Sequence, residues 1–503
     1  MNRLARALRV LPLAVLATCN DSSVPTTTSE VTPVGAPVRS TTAFASPGRW
    51  DYAPGWPQHV AVHMHLLPNG QVLFWSGDDR AGKGHKMVQE AFIWNPQTGS
   101  AVSAPNSRTD VFCSGHAFLP DGRLLVVGGH IAVDTGLADV NIFDFGNRRW
   151  GKGAAMAGGR WYPSAVTLIS GEVLVEGGAD EGGKHNELPE VWQVRGGWRR
   201  LTGATRAVPY YPRMFALGDG RAYHAGPYGT EFVNVTGTGS REWGPSRLVN
   251  DRHYGSAVMY APDKILYVGG GDPPTNTAEI IEFAGQGSPA WRATGSMTFA
   301  RTQTNATLLA DGTVLVTGGS SSAGWNTAAG AVRVPELWDP ATGTWTQLAQ
   351  MFENRLYHST ALLLPDARVL AAGGGRPPAY DDPHGDHRSA EIFTPPYLLT
   401  ATGQPAARPV ISSAPTSVGY DQAFTVGTPN PASIAKVTWI RTSSVTHAHN
   451  MDQRFTELVH AVSGSSSLRV TAPPRRDAPP GYYMLFIIDQ NGVPSVAKII
   501  RIS

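Results

Sequence analysis

Beyond the first twenty residues the chain holds a single cysteine, Cys113, and its setting is shared by a tyrosine and a histidine. Cys113 lies fifteen residues ahead of Gly128, Tyr162 fifteen ahead of Gly177, and His358 fifteen ahead of Gly373; each of those glycines opens a Gly-Gly pair. In all three cases the intervening residues read as an apolar run, a turn and a second apolar run. The three residues therefore hold one position in a repeating unit. The same offset falls on Tyr211, Tyr254 and Gln303 in other units, which makes them candidates for the wall of a shared pocket. Taken singly, each is an ordinary buried strand residue. Brought together, they offer phenol oxygen, imidazole nitrogen and a thiol. Imidazole with phenolate suits copper(II) in a tetragonal arrangement, whereas magnesium and calcium want carboxylate-rich shells. A second imidazole is available in Val445-Thr446-His447-Ala448-His449, where a strand would present both rings on one face.

The elements that must bring these residues together are short strands. Glycine-ended apolar runs recur seven times, at Val72 to Gly77, Leu124 to Gly129, Val173 to Gly178, Arg221 to Gly226, Ile265 to Gly270, Val314 to Gly319 and Val369 to Gly374. Their spacing of about 44 to 55 residues is that of kelch-type blades. Asn69-Gly70, Asp121-Gly122, Ser170-Gly171, Asp219-Gly220 and Asp311-Gly312 supply turns before five of them. The pattern predicts an all-β protein: a seven-bladed β-propeller over residues 49–400, its first strands nearest the axis. After Pro395-Pro396-Tyr397 the period is lost. Residues 401–503 read as an immunoglobulin-like sandwich of alternating strands.

Net charge is +2 and 16% of residues are charged, so nothing points to nucleic acid or a membrane surface as partner. Arg3, Arg6 and Arg9 precede the apolar run Leu11 to Ala17, the order of a secretory leader over residues 1–19. Leu16-Ala17-Thr18-Cys19 resembles a lipoprotein cleavage site, so either a lipid anchor at Cys19 or ordinary cleavage would follow. Residues 20–48 read as a Ser/Thr/Pro-rich tether, and the exported product as a monomer.

Several segments together resemble the galactose oxidase and glyoxal oxidase family of copper radical oxidases. They are Phe112-Cys113-Ser114-Gly115, Arg160-Trp161-Tyr162, Tyr357-His358-Ser359, Glu391 to Leu398, Val445-Thr446-His447 with Asp452-Gln453-Arg454, and Pro480 to Phe486. The resemblance implies one copper ion held by Tyr162, Tyr357, His358 and His447. It implies a thioether between Cys113 and Tyr162 that carries a radical, with Tyr357 as axial ligand and general base. The implied activity is oxidation of a primary alcohol, an aldehyde or a glycan end by dioxygen, yielding hydrogen peroxide. Galactose oxidase has a tryptophan stacked over the cross-linked tyrosine; here that place is Asp180. Trp161, next to Tyr162, is expected to point away from it if both lie on a strand. Trp325 is expected near the substrate. His449 is read as solvent-facing or behind the ligands. His63, His65 and the group Asp381, Asp382, His384, Asp386 and His387 are read as solvated loop and strand positions. The competing function is a non-catalytic kelch module that binds glycan or protein, since propellers host many unrelated functions.

Overall fold

The computed structural model describes residues 46–77, 90–283, 287–375 and 387–503. The leader, Cys19, most of the tether, and Asp381, Asp382, His384 and Asp386 lie outside the described residues. The paired apolar runs form antiparallel hairpins, such as His63–Leu66 with Val72–Trp75 and Gly115–Phe118 with Leu124–Val127. Gly70, Gly122, Gly171, Gly220 and Gly312, in the turns singled out from sequence, all have positive φ. Seven antiparallel sheets repeat this hairpin and extend it outward to a third and a fourth strand. In one of them the fourth strand, Arg49–Tyr52, comes from the beginning of the described chain and pairs with Ala390–Thr394. The first strands of the repeats stand side by side: Gly115–Phe118 next to Ser164–Thr167, and Asn305–Leu308 next to Ser359–Leu363.

A buried arginine organises the entry to four of these strands. Arg160 Nη1 donates to Gly177 O at 2.8 Å and Nη2 to Glu190 Oε2 at 3.2 Å. Arg252 does the same with Gly269 O and Glu279, Arg301 with Gly318 O and Glu336. Arg355 Nη1 donates to Gly373 O and its guanidinium stands 3.8 Å from Glu391. A lone buried guanidinium would be costly; here a carbonyl and a carboxylate offset its desolvation. The Gly-Gly pairs are required by closeness as well as by φ. A Cβ on Gly128 would stand 2.2 Å from Arg160 O, and on Gly318 2.2 Å from Arg355 O.

Residues from Ser417 onward form two further sheets, one of five strands and one of three. Val426, Trp439, Leu468, Val470, Leu485 and Ile500 fill the core between them. From this region a hairpin, Ser444–Thr446 with His449–Asn450, leaves and pairs with His63–Leu66, giving that repeat's sheet six strands. Just after the hairpin, three consecutive side chains hold three different first strands. Asp452 accepts from Phe118 N at 2.6 Å, Gln453 from Leu308 N at 3.1 Å, and Arg454 donates to Ala216 O at 2.8 Å.

Candidate active site

The residues that share the fifteen-residue offset share a backbone conformation. Cys113, Tyr162, Tyr211, Tyr254, Gln303 and His358 have φ of 59°, 65°, 45°, 52°, 58° and 66°, the left-handed region that residues with a Cβ seldom occupy. They sit in the tight turn just before the first strand of each repeat rather than inside it. Neighbouring turns are bonded to one another: Tyr162 N donates to Cys113 O at 2.9 Å, Tyr211 N to Tyr162 O at 2.8 Å, and Gln303 N to Tyr254 O at 2.8 Å. The thiol residue and the phenol residue are thus tied directly through their backbones.

Left-handed φ also breaks the alternation of a strand, and this corrects the expectation for Trp161. Its ring lies flat on that of Tyr162, with centroids 3.7 Å apart and planes 10° from parallel. Trp161 Nε1 donates to His130 Nδ1 at 3.1 Å, which fixes the indole. The ring that covers Tyr162 is therefore its own neighbour; Asp180 accepts from Gly182 and Lys184 backbone N–H groups in a turn. Tyr357 and His358 repeat the arrangement, with ring centroids 3.7 Å apart.

The Tyr162 hydroxyl touches the Tyr357 hydroxyl and stands 3.0 Å from His447 Nε2. The His358 and His447 rings are 4.6 Å apart and nearly perpendicular. His447 and Ala448 form the two-residue turn of the hairpin, with φ of 47° and 63°, the pair of left-handed residues such a turn demands. The expectation that His447 and His449 share a strand face is corrected by this turn. His449 is 1% exposed, not solvent-facing, and neither of its ring nitrogens has a hydrogen-bond partner.

Hydrogen bonds decide which nitrogens the two site imidazoles present. Thr446 Oγ1 donates to Val62 O at 2.9 Å, so it accepts from His447 Nδ1 at 2.5 Å, and His447 Nε2 is left as a lone pair facing Tyr162. His358 Nδ1 donates to Gly375 O at 3.1 Å, which leaves Nε2 as its lone pair too. Ring nitrogens that ligate metals are held in this way, by a bond at the opposite nitrogen. Burial, then the Cys113 thiol and the Tyr357 phenol, push Tyr162 well above the ordinary phenol range. A bound cation reverses that penalty. Two touching phenol oxygens, one of them facing the His447 Nε2 lone pair, with the His358 ring beside them, fit a small tetragonal cation, and copper(II) best.

Beside this centre opens a cavity of 290 Å³ lined by Val133, Asp134, Trp161, Tyr162, Tyr210, His253, Tyr254, Trp325 and Tyr357. Of the residues assigned to a pocket from sequence, Tyr254 and Trp325 are in this cavity's wall. Tyr211 and Gln303 are not: Tyr211 packs behind the centre, 4.6 Å from the Tyr162 ring and 4.7 Å from His447, and Gln303 is buried away from the cavity. Trp161, Tyr210, His253 and Tyr357 had a legible signal, because each immediately precedes a left-handed residue of the repeat.

The solvated assignment of His63, His65 and His387 is overturned. His63 and His65 are fully buried on the strand His63–Leu66, and His387 is buried with Nδ1 3.6 Å from Glu353. With His116, the first two form a cluster behind Cys113. Burial lowers all three and pushes His116 down to about 3. Between pH 6.5 and about 3 the unfolded chain therefore binds a proton at His116 that the folded chain excludes. Stability falls with acidification across that window, by about 1.4 kcal/mol per pH unit for each such imidazole. The metal-stripped protein should show a thermal midpoint that drops steadily below pH 6.5; a midpoint flat to pH 4 would mean that protons reach these rings without unfolding.

Fold and site define a class: an all-β scaffold holding a buried centre of two phenols, two imidazoles and a thiol residue. The family described as galactose oxidase-like, early set domain matches residues 408–502, and that described as glyoxal oxidase N-terminus matches residues 273–397. A galactose oxidase of Gibberella zeae is 31% identical over 491 residues, covering 91% of this chain and 71% of that one. An aldehyde oxidase of Arabidopsis thaliana is 28% identical over 445 residues, covering 78% and 72%. A solved fungal alcohol oxidase of the AA5 family, in complex with copper, superposes with a TM-score of 0.80 at 28% identity, covering 91% of this chain and all of the other. The chain belongs to the galactose oxidase family.

Proposed function

We propose that the protein is a copper radical oxidase that converts a primary alcohol to an aldehyde, or a hydrated aldehyde to an acid, reducing dioxygen to hydrogen peroxide. The observation that carries this is the meeting of the Tyr162 and Tyr357 oxygens with His447 Nε2 beside a turn bonded to Cys113. Tyr162, Tyr357, His358 and His447 would hold the metal. Copper, when bound, supplies one redox equivalent. A two-electron oxidation needs a second, and a Tyr162 ring joined to Cys113 by a thioether is the group suited to supply it. Tyr357, at the cavity wall, takes the substrate hydroxyl proton, and the Tyr162 oxygen accepts the hydrogen atom from the adjoining carbon. Trp161 covers the Tyr162 ring and keeps water from it. Aromatic walls and a volume of 290 Å³ favour a small alcohol or aldehyde, or the end unit of a glycan.

The seven repeated sheets are read as blades of a closed kelch-type propeller over 49–400, with an immunoglobulin-like domain over 401–503 that sends His447 to the axis. The basic and apolar leader supports export, either with or without a lipid anchor at Cys19. A monomer without nucleic-acid partners is the accompanying reading. Aerobic copper loading of metal-free protein tests the proposal. A peptide joining Cys113 to Tyr162 and lighter by two hydrogens, together with peroxide formed from a primary alcohol or aldehyde, is the expected result. An intact Cys113 thiol after full loading would leave the non-catalytic binding module as the better account.

A further inference from the structure

Three imidazoles that the proposed reaction does not use stand in line behind Cys113, and one fixed donor determines the direction of every bond among them. The backbone N–H of Cys113 can only donate, and it points at His63 Nε2 at 3.1 Å. His63 must therefore carry its proton on Nδ1, which is 3.1 Å from His116 Nε2. His116 accepts there, carries its own proton on Nδ1 and donates to Ser444 Oγ at 2.6 Å. No alternative set of tautomers satisfies these three contacts. Ser444 also takes part in a 3.0 Å contact with His65 Nδ1. The far end of the line is thus on the hairpin strand Ser444–Thr446, and two residues along on the same face Thr446 holds His447 Nδ1. One strand is bonded to the thiol residue through two imidazoles and to the site imidazole directly.

We propose that His63, His116 and Ser444 are positioning residues that hold the Cys113 turn in its left-handed conformation against Tyr162 and thereby set the rate of thioether formation. The proposal rests on the copper radical reading. In the step itself a Cys113 S–H and an ortho C–H of the Tyr162 ring are lost and one S–C bond forms. The two protons and two electrons released reduce one dioxygen to hydrogen peroxide. The role of the line is geometric: a Cys113 N–H deprived of its acceptor in the buried interior is relieved by rotation of the peptide that precedes the thiol, and that rotation carries Sγ away.

His63 stacks on Trp75, with centroids 5.0 Å apart and planes 14° from parallel, so His63→Phe keeps the ring and removes the acceptor, while His63→Gln keeps an acceptor. Metal-free wild type and both variants would be loaded with copper in air, and loss of two hydrogens followed by mass spectrometry, with copper content and thermal midpoint measured alongside. About tenfold slower cross-linking in His63→Phe, with recovery to within about threefold of wild type in His63→Gln, is expected at unchanged copper content. Wild-type rates in His63→Phe, or equal slowing in both variants, would overturn the positioning role. Should His63→Phe not fold, Ser444→Ala replaces it: His116 is freed to carry its proton on Nε2 against the His63 proton, so slowed cross-linking supports the role and an unchanged rate overturns it. A wild type that itself loses no hydrogens would sink the copper radical reading, an outcome distinct from these.

Discussion

Tyr162→Phe is expected to lower turnover on the order of 10⁴-fold, as removal of one member of a catalytic unit does, while leaving the fold in place. The phenylalanine ring keeps the contacts with Trp161 at 3.7 Å and Tyr211 at 4.6 Å. What goes is one oxygen, the atom that meets both the Tyr357 hydroxyl and His447 Nε2. Copper should still bind through Tyr357, His358 and His447, with weaker affinity, and no cross-link to Cys113 should form. Steady-state rates, metal analysis and peptide masses on the same preparation check all three. A variant that keeps more than about 1% of wild-type turnover would remove Tyr162 from the radical role.

Tyr357→Phe is the complementary experiment. A positioned acid or base contributes about 10²- to 10⁴-fold, and turnover should fall by that amount. The cross-link should nevertheless form, since Cys113 and Tyr162 are untouched. Its ring helps wall the cavity, with Trp325 at 4.5 Å and Tyr254 at 5.7 Å, so the Michaelis constant should change far less than the turnover number. Equal loss of both cross-link and turnover would mean that Tyr357 acts only in assembling the centre. The two substitutions differ by one oxygen each yet separate maturation from catalysis.

The repeat offset was legible in sequence, and it marked a conformation as well as a position. A count back from the glycine that ends the second strand, which opens a Gly-Gly pair in five cases and precedes Pro227 in the sixth, locates six residues, and all six are left-handed in the structure. That conformation was not legible, because Cys, Tyr and Gln carry no preference for positive φ and one His is too weak a signal, so the turn imposes it on them. Treating Trp161-Tyr162 as strand therefore put the indole on the wrong side. Gln303 and Tyr211 share the left-handed conformation of Tyr162 and Tyr254, yet only the latter two reach the cavity wall, so the shared offset alone does not decide which residues line it. His63, His65 and His116 escaped notice as a cluster since they come from two repeats and are completed by Ser444, 328 positions from His116. Periodicity relates equivalent places and is silent on what a distant hairpin will lay beside them. Arg160, Arg252, Arg301 and Arg355 carry a plainer signal, being two or three residues ahead of four of the six left-handed positions.

The hairpin strand Ser444–Thr446 is made long after His63–Leu66, the strand it lies beside. During synthesis the two tyrosines and the cysteine emerge well before His447, and the Asp452-Gln453-Arg454 latches come later still. On the proposed ligand set, a nascent or prematurely ended chain cannot assemble a peroxide-forming centre. The order of translation thus acts as an interlock, delaying oxidative chemistry until the hairpin that carries His447 has been laid across the repeats.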